Sequence, residues 1–435
     1  MNYKKNCTLG IKRWIVIGII GLMFFIVGFS PLYNKFQSIL KHDILFVISI
    51  IIGGLLLFIS VKFGILTLLT VINQYKYEVD INTFSVKDMV NKKKVLNKGP
   101  KIVVLGGGTG LSVLLRGLKE YTSNITAIVT VADDGGGSGI LREDLGMLPP
   151  GDIRSCILAL ADTEPTMEKL LQYRFKEGNL KGQSFGNLFI AAMNGIYENF
   201  DEAIKEMSNV LAVSGKVLPM TLENVILYAK LSNKKVIKGE SNIPEVNKKV
   251  GSKIEKVFIK PNTPRPLEES IEAIKKADIV LLGPGSLYTS VIPNILVKDI
   301  VKELEKSKAR KIYISNVMTQ PGETEGYSVK DHVKAIIEHG NDNIIDYVIT
   351  NTEGIPDDIL KKYSEDGSEP VILNEEDEEY LYNMGIKVVK SKLIDIKKDY
   401  IRHDATELSK IIINMYNEGS DFLKYLLNKI KKEEY

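Results

Sequence analysis

Gly106-Gly107-Gly108-Thr109-Gly110 and Asp133-Asp134-Gly135 are the residues whose types and spacing best suit chemistry. The first run follows the apolar stretch Ile102–Leu105 and precedes a helical pattern that starts at Leu111. A strand ending in glycines before a helix suits an anion. Glycine lets the backbone approach closely, and the first N–H groups of the helix supply donors and partial positive charge. A turn built only for tight packing has the same pattern, so the acidic glycine loop one unit later, Ala132 to Gly139, strengthens the reading of a site. Its two carboxylates either bond turn N–H groups or act on a ligand, orienting a hydroxyl or holding a divalent cation, with Asp134 the candidate metal ligand. Magnesium would reconcile adjacent carboxylates with a phosphate, because like charges at close range repel. Pro149-Pro150-Gly151-Asp152-Ile153-Arg154 adds a third carboxylate and a guanidinium. Asp152 caps a helix or meets a ligand, and Arg154 has the geometry for a bidentate phosphate contact. Asp133, Asp134 and Asp152 are also the candidates for any catalytic role.

These residues must be positioned by an alternating pattern that begins at Lys101. Strands are expected at Ile102–Leu105, Ile125–Val131, Ile279–Leu282, Ile312–Ser315 and Tyr347–Thr350, and helices at Leu111–Lys119, Ile295–Glu305 and Val329–Ile337. The alternation predicts an α/β fold, a Rossmann-like, doubly wound, mostly parallel sheet with helices on both faces. Ligands of such sheets gather at the carboxyl ends of the strands, near the switch in strand order. There the sequence also places Gly283, Gly285, Ser286 and Tyr288 after one strand, and Asn316 and Thr319 after another. Two insertions interrupt the alternation. Asp152 to Leu211 reads as helical, with Asp201 as a cap and Asn187 at a helix entry or facing a ligand. Leu222 to Lys260 reads as a small β meander at the sheet's edge, and the tail around Phe422, Leu426 and Ile430 as an amphipathic helix.

Composition excludes several classes. Lys+Arg 57 against Asp+Glu 54 gives a net charge of +3, so nothing global favours nucleic acid. Two cysteines, Cys7 and Cys156, make no disulfide framework, and four scattered histidines have no zinc spacing. No Lys-Ser/Thr follows the glycines, so there is no P-loop. The dinucleotide fingerprint is incomplete because Leu111 follows Gly110, although Asp133 keeps NAD as a reading to exclude.

The amino-terminal part is different. Two apolar runs, about 14–32 and 44–61, approach the ~17–25 residues that cross a bilayer and predict a transmembrane helical hairpin within an anchor at 1–73. A signal peptide is the rival for the first run, but no small-x-small cleavage site is evident. Lys4, Lys5, Lys12 and Arg13 precede the first run, and Lys76, Lys87 and Lys92 to Lys94 follow the second. The positive-inside rule then makes this a multi-pass protein of the cell membrane with both termini cytoplasmic. Residues 74–100 would be a cytoplasmic linker and 101–435 the main domain.

Gly106–Gly110, Thr130–Gly136, Pro149–Arg154 and Phe185-Gly186-Asn187-Leu188 resemble the CofD/YvcK superfamily. Gly283–Ser290 and Asn316–Thr324 resemble its YvcK branch, the gluconeogenesis factors of bacteria, and the likeness runs from Lys101 to His403-Asp404-Ala405. The resemblance implies a UDP-sugar ligand, typically UDP-N-acetylglucosamine, and a role in cell shape and wall synthesis during gluconeogenic growth, with wall-synthesis regulators as partners. The CofD branch implies the alternative, a phosphotransferase acting on a nucleotide diphosphate-linked substrate with magnesium. Gly137 stands where the family has serine, and the hairpin is absent from many relatives. Self-association is left open.

Overall fold

In the computed structural model the described residues are 14–27, 43–76, 95–162, 165–197, 199–397 and 400–417. They fall into two compact units, Met1–Met89 and Val90–Tyr435. In the first unit, helices α1 (Trp14–Val27) and α2 (Asp43–Lys76) pack on one another. Trp14 stacks on Phe63 with ring centroids 5.0 Å apart, and the Ser60 hydroxyl donates to the Trp14 carbonyl at 2.6 Å. At the other end the Ser49 hydroxyl donates to the Phe24 carbonyl at 2.8 Å, so the helices run antiparallel. Glycine permits this approach: a Cβ on Gly53 would sit 2.6 Å from the Phe25 nitrogen. Among the described residues one segment, the 19 residues Val47–Ile65, is long and apolar enough to cross a membrane. The rest of the expected 14–32 run, beyond Val27, lies outside the described residues, and α2 continues past residue 61 into the expected linker. The connector, most of the linker, Cys7, His42 and the amphipathic tail lie outside the described residues.

The second unit is built on strands β1 (Ile102–Gly106), β2 (Ile125–Val129), β3 (Lys216–Pro219), β4 (Ile226–Leu231), β5 (Val236–Lys238), β6 (Ile254–Lys260), β7 (Ile279–Leu282), β8 (Arg310–Ile314), β9 (Tyr347–Asn351) and β10 (Lys387–Ser391). Seven form one sheet in the order β10-β9-β8-β7-β1-β2-β3, with every pairing parallel. Strand β1 is buried along its whole length, as is β7, which is why both read as unbroken apolar runs. The order reverses between β1 and β7, and a crevice at the carboxyl ends of the strands is expected at that point.

Strand β3 and strand β10 extend this sheet beyond the five strands expected. The inserted strands form their own antiparallel sheet, β5-β4-β6, with β4 in the middle. It is therefore neither a meander nor part of the main sheet's edge. Helices α3 (Gly108–Leu118), α4 (Gly136–Leu145), α5 (Gly151–Leu160), α6 (Phe185–Tyr197), α7 (Phe200–Val210) and α8 (Asn242–Val250) carry or flank the loops of interest. The α7 cap is Asn199, with Asp201 inside the first turn instead of capping it. Helix α9 (Val329–His339) opens with a full capping box from Ser328 and Asp331. The last described helix, α10 (Ala405–Asn417), lies against α3, where a Cβ on Gly117 would come 2.4 Å from the Ala405 carbonyl oxygen.

Candidate functional site

The site is assembled where the two glycine loops meet. Strand β1 ends at Gly106, Gly107 is extended, and Gly108 is left-handed at φ +67°, so the N-cap of α3 is a glycine with no side chain of its own, and Asp152 accepts from the Gly108 N–H. That leaves backbone donors at a helix start whose dipole favours negative charge. The loop after β7 closes on it from the neighbouring strand. A Cβ on Gly110 would stand 3.0 Å from the Pro284 carbonyl oxygen, and one on Gly285 3.2 Å from that of Gly107. Asn316 donates from Nδ2 to the Gly285 carbonyl at 3.0 Å and so holds the second loop in place. The switch point thus carries a cradle of bare backbone between the loops that follow two neighbouring strands, the feature by which this fold receives phosphates. Thr109 is exposed at its mouth.

The acidic residues line the neighbouring side. Asp133 Oδ1 accepts the Gly135 N–H at 2.9 Å. Burial raises its carboxyl above the usual range, opposed by Gly135 and Ser138 and aided by Asp134. Asp152 is the second residue of α5, whose N-cap is Pro150, so it does not cap the helix. Its Oδ2 lies 2.5 Å from where a Gly107 Cβ would be. Burial pushes Asp152 up to about 6, with Asp133 adding repulsion and the Gly108 N–H and Arg154 working against it. Asp134 faces another way: its Oδ1 accepts the Ser241 N–H at 2.9 Å. Among the described residues no group of three or more His, Cys, Asp or Glu is arranged to hold a metal ion.

The basic groups are fixed by the helical insertion. Arg154 donates from Nη1 to Asn187 Oδ1 at 2.8 Å and also to Ser184, while its Nε is buried without a partner. Burial and the nearby Arg174 lower its guanidinium from the ordinary value. Asn187 is therefore a brace for Arg154, itself buried, at the start of α6. Arg142 on α4 bonds Asn224 at the entrance to the inserted sheet and donates to the Asp133 carbonyl at 3.3 Å.

Two expected contacts point elsewhere. Tyr288 is buried, its hydroxyl 2.9 Å from that of Tyr327 and its ring against His339. Thr319 exchanges bonds with the Glu369 backbone, donating its N–H at 2.7 Å and accepting on Oγ1 at 2.8 Å. Both hold the walls of the domain together. Cys156 is buried, as the apolar helix pattern implies.

Four residues were missed. Ser290 sits at the cradle, its Oγ 3.7 Å from a Cβ built on Gly108 and 3.9 Å from one on Gly285. Buried Asn294 donates to the Gly106 carbonyl at 3.2 Å and steadies the end of β1. Glu323 and Glu240 add carboxyls from distant segments, pushed by burial up to about 7 and about 8. The runs Gly283–Ser290 and Asn316–Thr324 carry a signal for Ser290 and Glu323; Asn294 and Glu240 depend on tertiary placement.

The family model for 2-phospho-L-lactate transferase CofD matches residues 102–394. A putative gluconeogenesis factor of Clostridium acetobutylicum is 53% identical over 93% of this chain and 89% of its own length. The gluconeogenesis factor of Bacillus subtilis is 48% identical over 74% of this chain and 100% of its own. A solved structure from Bacillus halodurans superposes with a TM-score of 0.69 at 47% identity, covering 73% of this chain and all of that one. The chain belongs to the CofD family, in its branch of YvcK-type gluconeogenesis factors. The Clostridium alignment reaches into the amino-terminal unit, whereas the whole Bacillus subtilis protein corresponds to less than three quarters of the chain.

Proposed function

We propose that this chain binds a UDP-sugar, UDP-N-acetylglucosamine foremost, and acts as a membrane-tethered regulator of cell shape and wall synthesis under gluconeogenic growth. The observation that carries the ligand reading is the meeting of Gly106–Gly110 with Gly283–Ser286 at the switch point, where α3 begins at a glycine N-cap. The diphosphate takes the backbone donors there, Arg154 faces its charge, and the carboxyls are left for the sugar side. The names of the relatives support the physiological part. Tethering is supported by Val47–Ile65 and by the close packing of α1 on α2, with both termini cytoplasmic from the lysine distribution. Extraction of membranes at alkaline pH tests it: the full chain stays in the pellet, and recovery in the supernatant would overturn tethering.

A transferase reading is favoured by the placement of Asp152 beside the cradle, its Oδ2 2.5 Å from where a Gly107 Cβ would be and its carboxyl pushed up to about 6, as that of an acid–base group would be. Phosphorus NMR of the full chain in detergent with UDP-N-acetylglucosamine separates the two. Shifted diphosphate signals without new peaks fit a binding protein, and new monophosphate signals fit turnover. An unchanged spectrum would refute the ligand.

A further inference from the structure

The inserted sheet is tied to the loop after β2 at the turn Gly239-Glu240-Ser241 between β5 and α8. Asp134 holds that turn. Its Oδ1 accepts the Ser241 N–H at 2.9 Å, and its Oδ2 stands 2.5 Å from where a Cβ on Gly239 would be, at φ +99°. Any side chain at position 239 would push the carboxylate away, so glycine and aspartate are matched across the two segments. Between them lies Glu240, whose charged neighbours are Asp133 and Asp134 from the loop after β2, Asp152 from α5 and Glu323 from the loop after β8. Arg142 on α4 lies against the same loop, donating to the Asp133 carbonyl at 3.3 Å. Glu323 is 2% exposed, and its Oε2 is buried without a hydrogen-bond partner. The turn latched by Asp134 thus brings a carboxyl from a remote segment among those of the loop after β2 and of α5.

We propose that Glu240 reads the sugar moiety of the ligand and that Asp134 is the positioning residue that latches it in place. The inference rests on the UDP-sugar reading and assigns its non-phosphate side. A carboxylate opposite a diphosphate would repel it, whereas a neutral carboxyl offers one O–H donor and one carbonyl acceptor. That pair complements an acetamido group or a hydroxyl of a hexose. Burial and the four acidic neighbours push Glu240 up to about 8, which favours its neutral form at pH 7. Asp134 makes no such contact; its work is to fix where the turn stands.

The experiment is calorimetric titration of the full chain in detergent with UDP-N-acetylglucosamine and, separately, UDP. The readout is the preference for the sugar nucleotide over the bare diphosphate. Glu240→Ala and Asp134→Ala each lower that preference by about tenfold, the scale of one lost hydrogen bond. Glu240→Gln keeps it, since an amide also donates and accepts, and Asp134→Asn keeps it because the Ser241 N–H retains an acceptor. Above pH 8 the wild-type preference declines as Glu240 ionises, while that of Glu240→Gln stays level. A merely structural role would produce neither the rescue nor the pH profile. An unaltered preference in Glu240→Ala, with both ligands still binding, overturns this inference and leaves the UDP-sugar reading intact. Failure of the wild type to bind either ligand overturns both.

Discussion

Glutamine at position 240 should stabilise the ligand-free protein at alkaline pH and change little in acid. Glu240 is raised from 4.5 to about 8 by burial and by repulsion from Asp133, Asp152, Glu323 and Asp134. Between those values the folded state keeps a proton that the unfolded chain has released. The associated stability is complete below pH 4.5, declines as pH rises, and is gone once pH passes about 8. At about 1.4 kcal/mol per pH unit, the full loss is on the order of 5 kcal/mol. Its acidic neighbours share the charge and can relax, so a gain of about 2–4 kcal/mol at pH 9 is expected for Glu240→Gln. Against a typical total of about 5–15 kcal/mol this is easily resolved. Urea unfolding followed by circular dichroism at pH 5, 7 and 9, in detergent without ligand, would show the variant's midpoint above wild type at pH 9 and converging at pH 5. Equal midpoints at pH 9 would refute the reasoning, as would a gain of the same size at every pH.

Gly107→Ala forces a Cβ to within 2.5 Å of Asp152 Oδ2 and 2.7 Å of the Thr130 Cγ2 methyl. Titration with UDP-N-acetylglucosamine should show at least a tenfold loss of affinity, with an overpacking cost of about 1–3 kcal/mol in calorimetric unfolding. Gly117→Ala meets the Ala405 carbonyl and Ser409 Oγ, both at 2.4 Å, so α10 must shift away from α3. It should lower Tm by several degrees and leave ligand affinity within twofold, because the cradle is at the other end of α3. Ser328→Ala removes the α9 capping box and a bond to Asp377 Oδ1 at 3.0 Å, and a loss of about 1–2 kcal/mol in urea unfolding is expected.

How far the sequence could be read depends on which forces place each residue. The strands that carry the cradle, β1 and β7, are buried on both faces and therefore announce themselves as apolar runs followed by glycine. Strands β3 and β10 flank the sheet as edges, where Lys216, Pro219, Lys387 and Lys390 interrupt the apolar pattern. Such residues discourage edge-to-edge pairing, and the same device hides the strand from a hydrophobicity reading. Tyr288 follows a glycine turn and so reads as a ligand contact, but the π-helical turn Leu287–Val291 carries its hydroxyl to Tyr327, 39 residues away. Glu240 shows the converse. Its local sequence is that of an ordinary turn before a helix, and its position in the cleft comes from Asp134, 107 residues before Ser241. Asp134 itself was legible as a site residue because it shares a loop with Asp133, yet its observed contact ties two segments together. Adjacent carboxylates at the end of one strand thus do different work: Asp133 bonds its own loop beside the cradle, and Asp134 bonds the insertion. Which does which depends on what folds over the loop, and the sheet that folds over this one brings Glu240 with it.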